Sequence, residues 1–230
     1  MFYGFDIYYF ILILPALLFG LWAQSQVNNN FSKYSQVGTM RGMTGAQAAE
    51  YILRQNGIYD VEVRHVSGHL SDNFNPKNKT INLSDSVYDS TSIAAIGVAA
   101  HEAGHAVQHA ENYMPIKIRE MVIPVTNIGS WLYLPILLIG VFLSSQGLIN
   151  LGIILFSTMA IFQLATLPVE FNASERAINT LSQSGILYGD EISGAKKVLR
   201  AAALTYVAAL VSSLAQLLRL ILLFGGRRRD

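Results

Sequence analysis

The stretch Val98–Ala110, VAAHEAGHAVQHA, places three histidines and a glutamate in an otherwise apolar, uncharged neighbourhood. On an α-helix, residues four apart lie on one face about one turn apart, so His101 and His105 aim their imidazoles at a common point. Two neutral ring nitrogens there can bind Zn²⁺ at about 2.0–2.1 Å. Glu102 is turned about 100° from His101, which sets it beside such an ion instead of in line with it. A general base needs that position to take a proton from a zinc-activated water. Ala103 and Gly104 between the histidines are small. Glycine inside a helix costs about 1 kcal/mol, which points to a close approach by another element or by substrate. The rival interpretation is the wet side of an amphipathic helix, with these residues merely solvated. His109 lies about 12 Å along the axis from His101, too far to share an ion, and reads as a helix-end histidine. His65 and His69 flank a strand and a turn and read as core or surface residues.

The chain has no cysteine, so any metal must be held by His, Glu or Asp. A catalytic zinc takes three protein ligands and keeps one position open. The H-x-x-G-x-x-H continuation that would supply a third histidine is missing, since AVQHAENYMP follows His105. The third ligand is therefore expected to be a carboxylate from a later helix.

The elements that could bring one back are membrane helices. The 230 residues are 52% hydrophobic and 13% charged, with a mean hydropathy of +0.37, which argues against a purely soluble protein. Four stretches approach the roughly 20 apolar residues that a bilayer crossing needs: about Ile7–Ala23, Val122–Leu143, Leu148–Leu167 and Ala201–Phe224. The first reads as an uncleaved anchor, because no Lys or Arg precedes it and no clear small-x-small cleavage site follows. The second and third are separated only by Ser144–Gly147 and should form a tight hairpin. The fourth contains Arg219, which near a helix end can snorkel to the interface. If Val122–Leu143 goes out and Leu148–Leu167 returns, Pro168 emerges on the same side as Met121. A helix starting at Pro168 then presents Glu170 as the third ligand, with Glu175, turned away, in reserve. Apart from ligation, Glu170 would suit the first turn of that helix by dipole compensation, worth about 0.3–1 kcal/mol.

The polar segment before the hairpin reads as a small α+β unit. Thr44 caps a helix over about Gly45–Gln55, with Ala46, Ala49, Ile52 and Leu53 on its apolar side. Val61–Val66 alternates as a strand, SDNFNPKNKT is turn-rich, and Thr80–Leu83 is a short strand. Ser90 or Thr91 starts the long helix that carries HEAGH. The domain organisation expected is a transmembrane anchor over 1–24, a zincin-like unit over 25–120, a hairpin over 121–167, the third-ligand helical segment over 168–200, and an apolar helix with a basic tail over 201–230.

Together these residues resemble the YugP family of bacterial membrane zinc metallopeptidases, and more distantly the integral-membrane gluzincins that include HtpX and the CAAX-prenyl-protein endopeptidases. The resemblance spans essentially the whole chain. It rests on DNFNPKNKTINLSDSVYDSTSIAAIGVAAHEAGHAVQHAENY followed, after the hairpin, by PVEFNASERA. It implies a mainly α membrane protein of about four transmembrane helices with a small zincin-like α+β metalloprotease domain. It also implies one Zn²⁺ per chain on His101, His105 and Glu170, with Glu102 as the base. HtpX-like enzymes are expected to carry E-x-x-x-D, whereas Ser174 stands four residues after Glu170, which puts in doubt the charged group that would orient a ligating histidine. Ser174 and Arg176 are candidates for supporting the metal or the transition state, with Asn172 and Glu175 as further candidates for the former task. Tyr113 and His65 are further candidates for stabilising the oxyanion, and Thr80–Leu83 for an edge strand against which a peptide pairs.

The expected activity is therefore a membrane-embedded zinc endopeptidase acting on proteins or peptides, membrane proteins among them. A non-catalytic multi-pass protein with a structural or vestigial metal site is the alternative. A transporter is disfavoured because Arg219 is the lone charge in the spans. The net charge of +1 gives no reason to expect nucleic acid. Residues 25–120 carry eight Lys or Arg and 168–200 four, while the N-terminal lead and the hairpin loop carry none. By the positive-inside rule the active site belongs on the cytoplasmic side of the cell membrane, although Arg227, Arg228 and Arg229 disagree if the fourth stretch fully spans.

Overall fold

The computed structural model describes residues 6–225; the basic residues Arg227–Arg229 lie outside them. In chain order the elements are α1 (Leu14–Ser35), α2 (Gly45–Gln55), β1 (Glu62–Val66), β2 (Asn73–Asn75), β3 (Thr80–Ser84), α3 (Ile93–Ala110), α4 (Met114–Phe142), α5 (Gln146–Gln183) and α6 (Asp190–Phe224). A π-helical turn over Tyr9–Ile13 leads into α1, with the Leu14 N–H bonded to the Tyr9 carbonyl. That wide turn sits where the Pro15 ring would otherwise press on the carbonyl four residues back. The helices containing α1, α4, α5 and α6 are each long and apolar enough to cross a membrane. The chain is thus a mainly helical, multi-pass membrane protein with a small α+β part.

Two compact units divide the chain. One holds the described residues up to Ala23, Lys117–Pro168 and those from Thr205 onward; the other holds Gln24–Ile116 and Val169–Leu204. In the first, α4 and α5 form the expected hairpin, and glycines allow the close approach: a Cβ on Gly129 would run into the Thr158 hydroxyl and lie 2.7 Å from the Leu155 carbonyl. Arg219 does not stand alone. Its Nη2 lies 2.6 Å from Asp6 Oδ2, and Tyr9 presents its ring at 5.6 Å. Pairing removes the main cost of an arginine in an apolar span.

In the second unit, Thr44 and Gln47 form a reciprocal capping box at the start of α2, as the sequence implied. Ala46, Ala49, Ile52 and Leu53 bury its apolar face in a core shared with Ile81, Leu83, Ile96 and Ala99. The sheet order is β1-β3-β2, parallel between β1 and β3 and antiparallel between β3 and β2. This corrects the expectation for Thr80–Leu83: β3 is the central strand, and the edges are β1 and β2. Strand β2 arises inside the stretch read as turns, because its three residues are too few to show alternation. Helix α3 is capped by Ser92, whose hydroxyl accepts from the Ala95 N–H, one residue beyond the expected Thr91.

Helix boundaries differ elsewhere too, with α4 beginning at Met114 instead of near Val122. Helix α1 continues past its apolar stretch to Ser35, held by side-chain bonds such as Gln24 to Asn28 and Asn29 to Ser25 and by burial of Phe31. Helix α6 begins at Asp190, well before Ala201. Most consequentially, no helix starts at Pro168: α5 runs through it without interruption. Proline inside a long apolar helix forfeits one N–H bond but is tolerated where neighbouring groups re-satisfy the backbone. Glu170 therefore sits in a helix interior, and first-turn dipole compensation cannot be its role.

Candidate metal centre

Helix α3 is buried on nearly all sides, from Ile93 to Gln108, because its run of Ala and Gly lets neighbours close in. A Cβ on Gly104 would lie 2.9 Å from the Ala173 carbonyl of α5, so this glycine is where the two helices touch. The contact brings His101, His105 and Glu170 together. Glu170 Oε2 is 3.3 Å from His101 Nε2 and 3.6 Å from His105 Nε2. The imidazoles are 4.6 Å apart between centroids and nearly perpendicular, at 83°. Potential ligand atoms of the three residues all lie within 4.8 Å of one another. A tetrahedral ion with bonds of about 2.0–2.1 Å has ligand–ligand edges of roughly 3.3–3.4 Å, so these residues fit zinc with little adjustment.

The outward nitrogens decide how the rings face the centre. Ser174 Oγ is 3.1 Å from His101 Nδ1, and Gln108 Oε1 is 3.0 Å from His105 Nδ1. With each Nδ1 engaged by an oxygen, each Nε2 is the ring nitrogen that faces the centre, as in ligating histidines whose other nitrogen has a hydrogen-bond partner. Burial disfavours charge on His105, but its interaction with the accepting Glu170 carboxylate and the nearby Glu102 charge outweigh it, so the metal-free imidazole stays protonated to higher pH than usual. Glu102 is itself buried on the same helix, next to His101.

Comparison with known proteins agrees with this chemistry. A family described as "putative neutral zinc metallopeptidase" matches residues 9–225. The chain belongs to this family. Among curated proteins it is 48% identical over 222 residues to the "Putative membrane protease YugP" of Bacillus subtilis (strain 168), covering 96% of this chain and 99% of that protein. No solved structure matches.

Within this metallopeptidase family member, the other residues singled out from the sequence fall away from the centre or support it. Ser174 supports it directly, through His101. Arg176 is tied up in pairing: its Nε donates to Asn172 Oδ1 at 2.7 Å, its Nη1 is 2.7 Å from Glu111 Oε2, and its guanidinium lies 5.7 Å from the Tyr113 ring centroid. Glu175 is exposed on α5 and stands outside the ligand cluster. His109 is exposed, edge-on to Phe74 at 5.9 Å. His65 is exposed and bonds Asp85 at 2.7 Å, and His69 is exposed and sits against Phe31. Gln108 was not singled out from the sequence. The available signal was its place three residues after a candidate ligand, one turn along the same helix.

Proposed function

We propose that this chain is a membrane-embedded zinc endopeptidase, with one Zn²⁺ held by His101, His105 and Glu170 and with Glu102 as general base. The observation that carries this reading is the convergence of two Nε2 atoms and one carboxylate oxygen while both Nδ1 atoms are engaged elsewhere. Bound there, zinc supplies Lewis acidity toward the scissile carbonyl and acidifies water to a pKa of about 7. Glu102 accepts the proton of the attacking water and passes it to the departing amine. Its burial keeps that carboxylate from being fully solvated and holds it beside the ligands. Strand β2 pairs on one side with β3, so its other side can take an extended peptide by strand addition. This edge replaces β3 as the element for substrate pairing. Substrates are proteins or peptides, membrane proteins among them, and the bias of Lys and Arg among the loops supports a site on the cytoplasmic side of the cell membrane.

The deciding experiment uses the full chain purified in detergent, wild type beside Glu102→Gln. Both should hold one zinc, and the variant should lose at least about 100-fold in hydrolysis of casein or a membrane-protein substrate. Equal activity would remove Glu102 from its role. Absence of zinc from the wild type would remove the reading as a whole.

A further inference from the structure

Gln108 is fully buried, with 0% exposure, and each of its polar atoms is engaged. Its Nε2 donates to the Val169 carbonyl at 2.9 Å and to Asn172 Oδ1 at 2.9 Å. Its Oε1 lies 3.0 Å from His105 Nδ1. Amide orientation and imidazole tautomer must be deduced from partners, and here the partners leave one solution. A backbone carbonyl only accepts, so the amide nitrogen faces Val169. Arginine only donates, so the Asn172 atom that meets Arg176 Nε at 2.7 Å is its oxygen, which again requires a donor from Gln108. The Gln108 oxygen therefore faces His105, and His105 Nδ1 must carry the hydrogen. Once the ring is neutral, its Nε2 is left with a lone pair aimed at Glu170.

From this we infer that Gln108 is the positioning residue of the metal centre, fixing two ligands at once. It sets the tautomer and ring angle of His105, and through Val169 it anchors the backbone immediately before Glu170. A neutral amide performs the orienting task that a carboxylate commonly performs at zinc sites. Being both donor and acceptor, it can hold a histidine on one helix and a carbonyl on another, which a carboxylate cannot. Asn172 and Arg176, with Glu111 behind them, keep the amide from turning over. The inference rests on the zinc site proposed above.

The test compares wild type, Gln108→Met and Gln108→Glu as full chains in detergent. It reads zinc affinity in chelator competition, and ¹⁵N spectra of the imidazole nitrogens without metal, at a pH high enough to leave the rings neutral. The chain has five histidines, few enough to assign by substitution. Methionine fills the volume without an acceptor and should weaken zinc about 10–100-fold, the usual effect of losing such a partner, with His105 divided between two tautomers. Glutamate keeps the acceptor toward His105 but has no donor for the Val169 carbonyl, so it should hold a single tautomer while binding zinc more weakly than wild type. Unchanged affinity and tautomer in Gln108→Met would overturn the inference, as would Gln108→Glu with wild-type affinity or with a mixed tautomer. Should the methionine variant not fold, Gln108→Glu decides alone: a mixed tautomer or unchanged affinity counts against the inference. If the wild type binds no zinc, the metallopeptidase reading fails first, and the nitrogen spectra still report whether Gln108 dictates the tautomer.

Discussion

Ser174 Oγ lies 3.1 Å from His101 Nδ1, one turn of α5 beyond Glu170. Successive turns of one helix thus supply one candidate ligand and the partner of another candidate. The serine brings no charge, so its contribution is orientation and a hydrogen bond. Ser174→Ala should weaken zinc by about tenfold, the lower end of what such partners contribute, with little change in the fold. Ser174→Asp places an accepting carboxylate against His101 Nδ1, which favours the ring form with its hydrogen there, and should bind zinc at least as tightly as wild type. Chelator competition on the purified proteins measures both.

The contact of Gly104 with α5 makes a prediction that opposes helix propensity. Alanine is favoured over glycine in a helix interior by about 1 kcal/mol, yet a Cβ at this position would sit 2.9 Å from the Ala173 carbonyl. Backbone cannot turn aside as a side chain can, so α3 and α5 must separate. Gly104→Ala should destabilise the metal-free protein by about 1–3 kcal/mol and weaken zinc as well, because Glu170 moves with Ala173. Gly20, where an added methyl would meet nothing within 4 Å, is the control: Gly20→Ala should leave Tm unchanged or slightly raised.

How much of this was legible beforehand follows from how local each feature is. His101, Glu102 and His105 lie within two turns of one helix, and helical periodicity alone relates them. Glu170 is far away in sequence, but the hairpin, itself obvious from hydropathy, returns the chain to the right place. Pro168 misled because in water it marks a helix start, whereas here α5 passes through it. Strand β3 was found but given the wrong place, since sheet order depends on β2, which is three residues long and framed by turn formers. Gln108 looked like an ordinary polar residue near a helix end. Its burial is created by Val169 and Asn172, sixty-one and sixty-four positions onward.

Glu170 and Glu175 provide a matched pair on one helix. Glu170 is 4% exposed and within 3.6 Å of both histidines, whereas Glu175 is exposed. Glu170→Gln keeps the shape and removes the negative charge. It should lower zinc affinity by at least about 100-fold, beyond the 10–100-fold range for a supporting partner, and abolish hydrolysis. Glu175→Gln should leave both within experimental error. Metal content after dialysis and a casein assay distinguish the two, and a reversed result would move the third ligand to Glu175.

Proton and metal compete for His105, and the direction of the competition can be worked out. Its folded pKa is raised because the Glu170 hydrogen bond and the Glu102 and Glu170 charges outweigh the burial that opposes charge. In the metal-free protein, that pairing contributes stability fully present below the ordinary histidine value of about 6.5, and lost as pH rises through the higher folded value. Zinc requires the same nitrogen without its proton. The rise in Tm on adding zinc should therefore be small at acidic pH and widen as pH climbs through that folded value, with the midpoint above about 6.5. Thermal unfolding in detergent at constant free zinc measures the difference directly. A rise in Tm that is the same at acidic and at alkaline pH would mean that His105 does not bind the metal through the nitrogen facing Glu170.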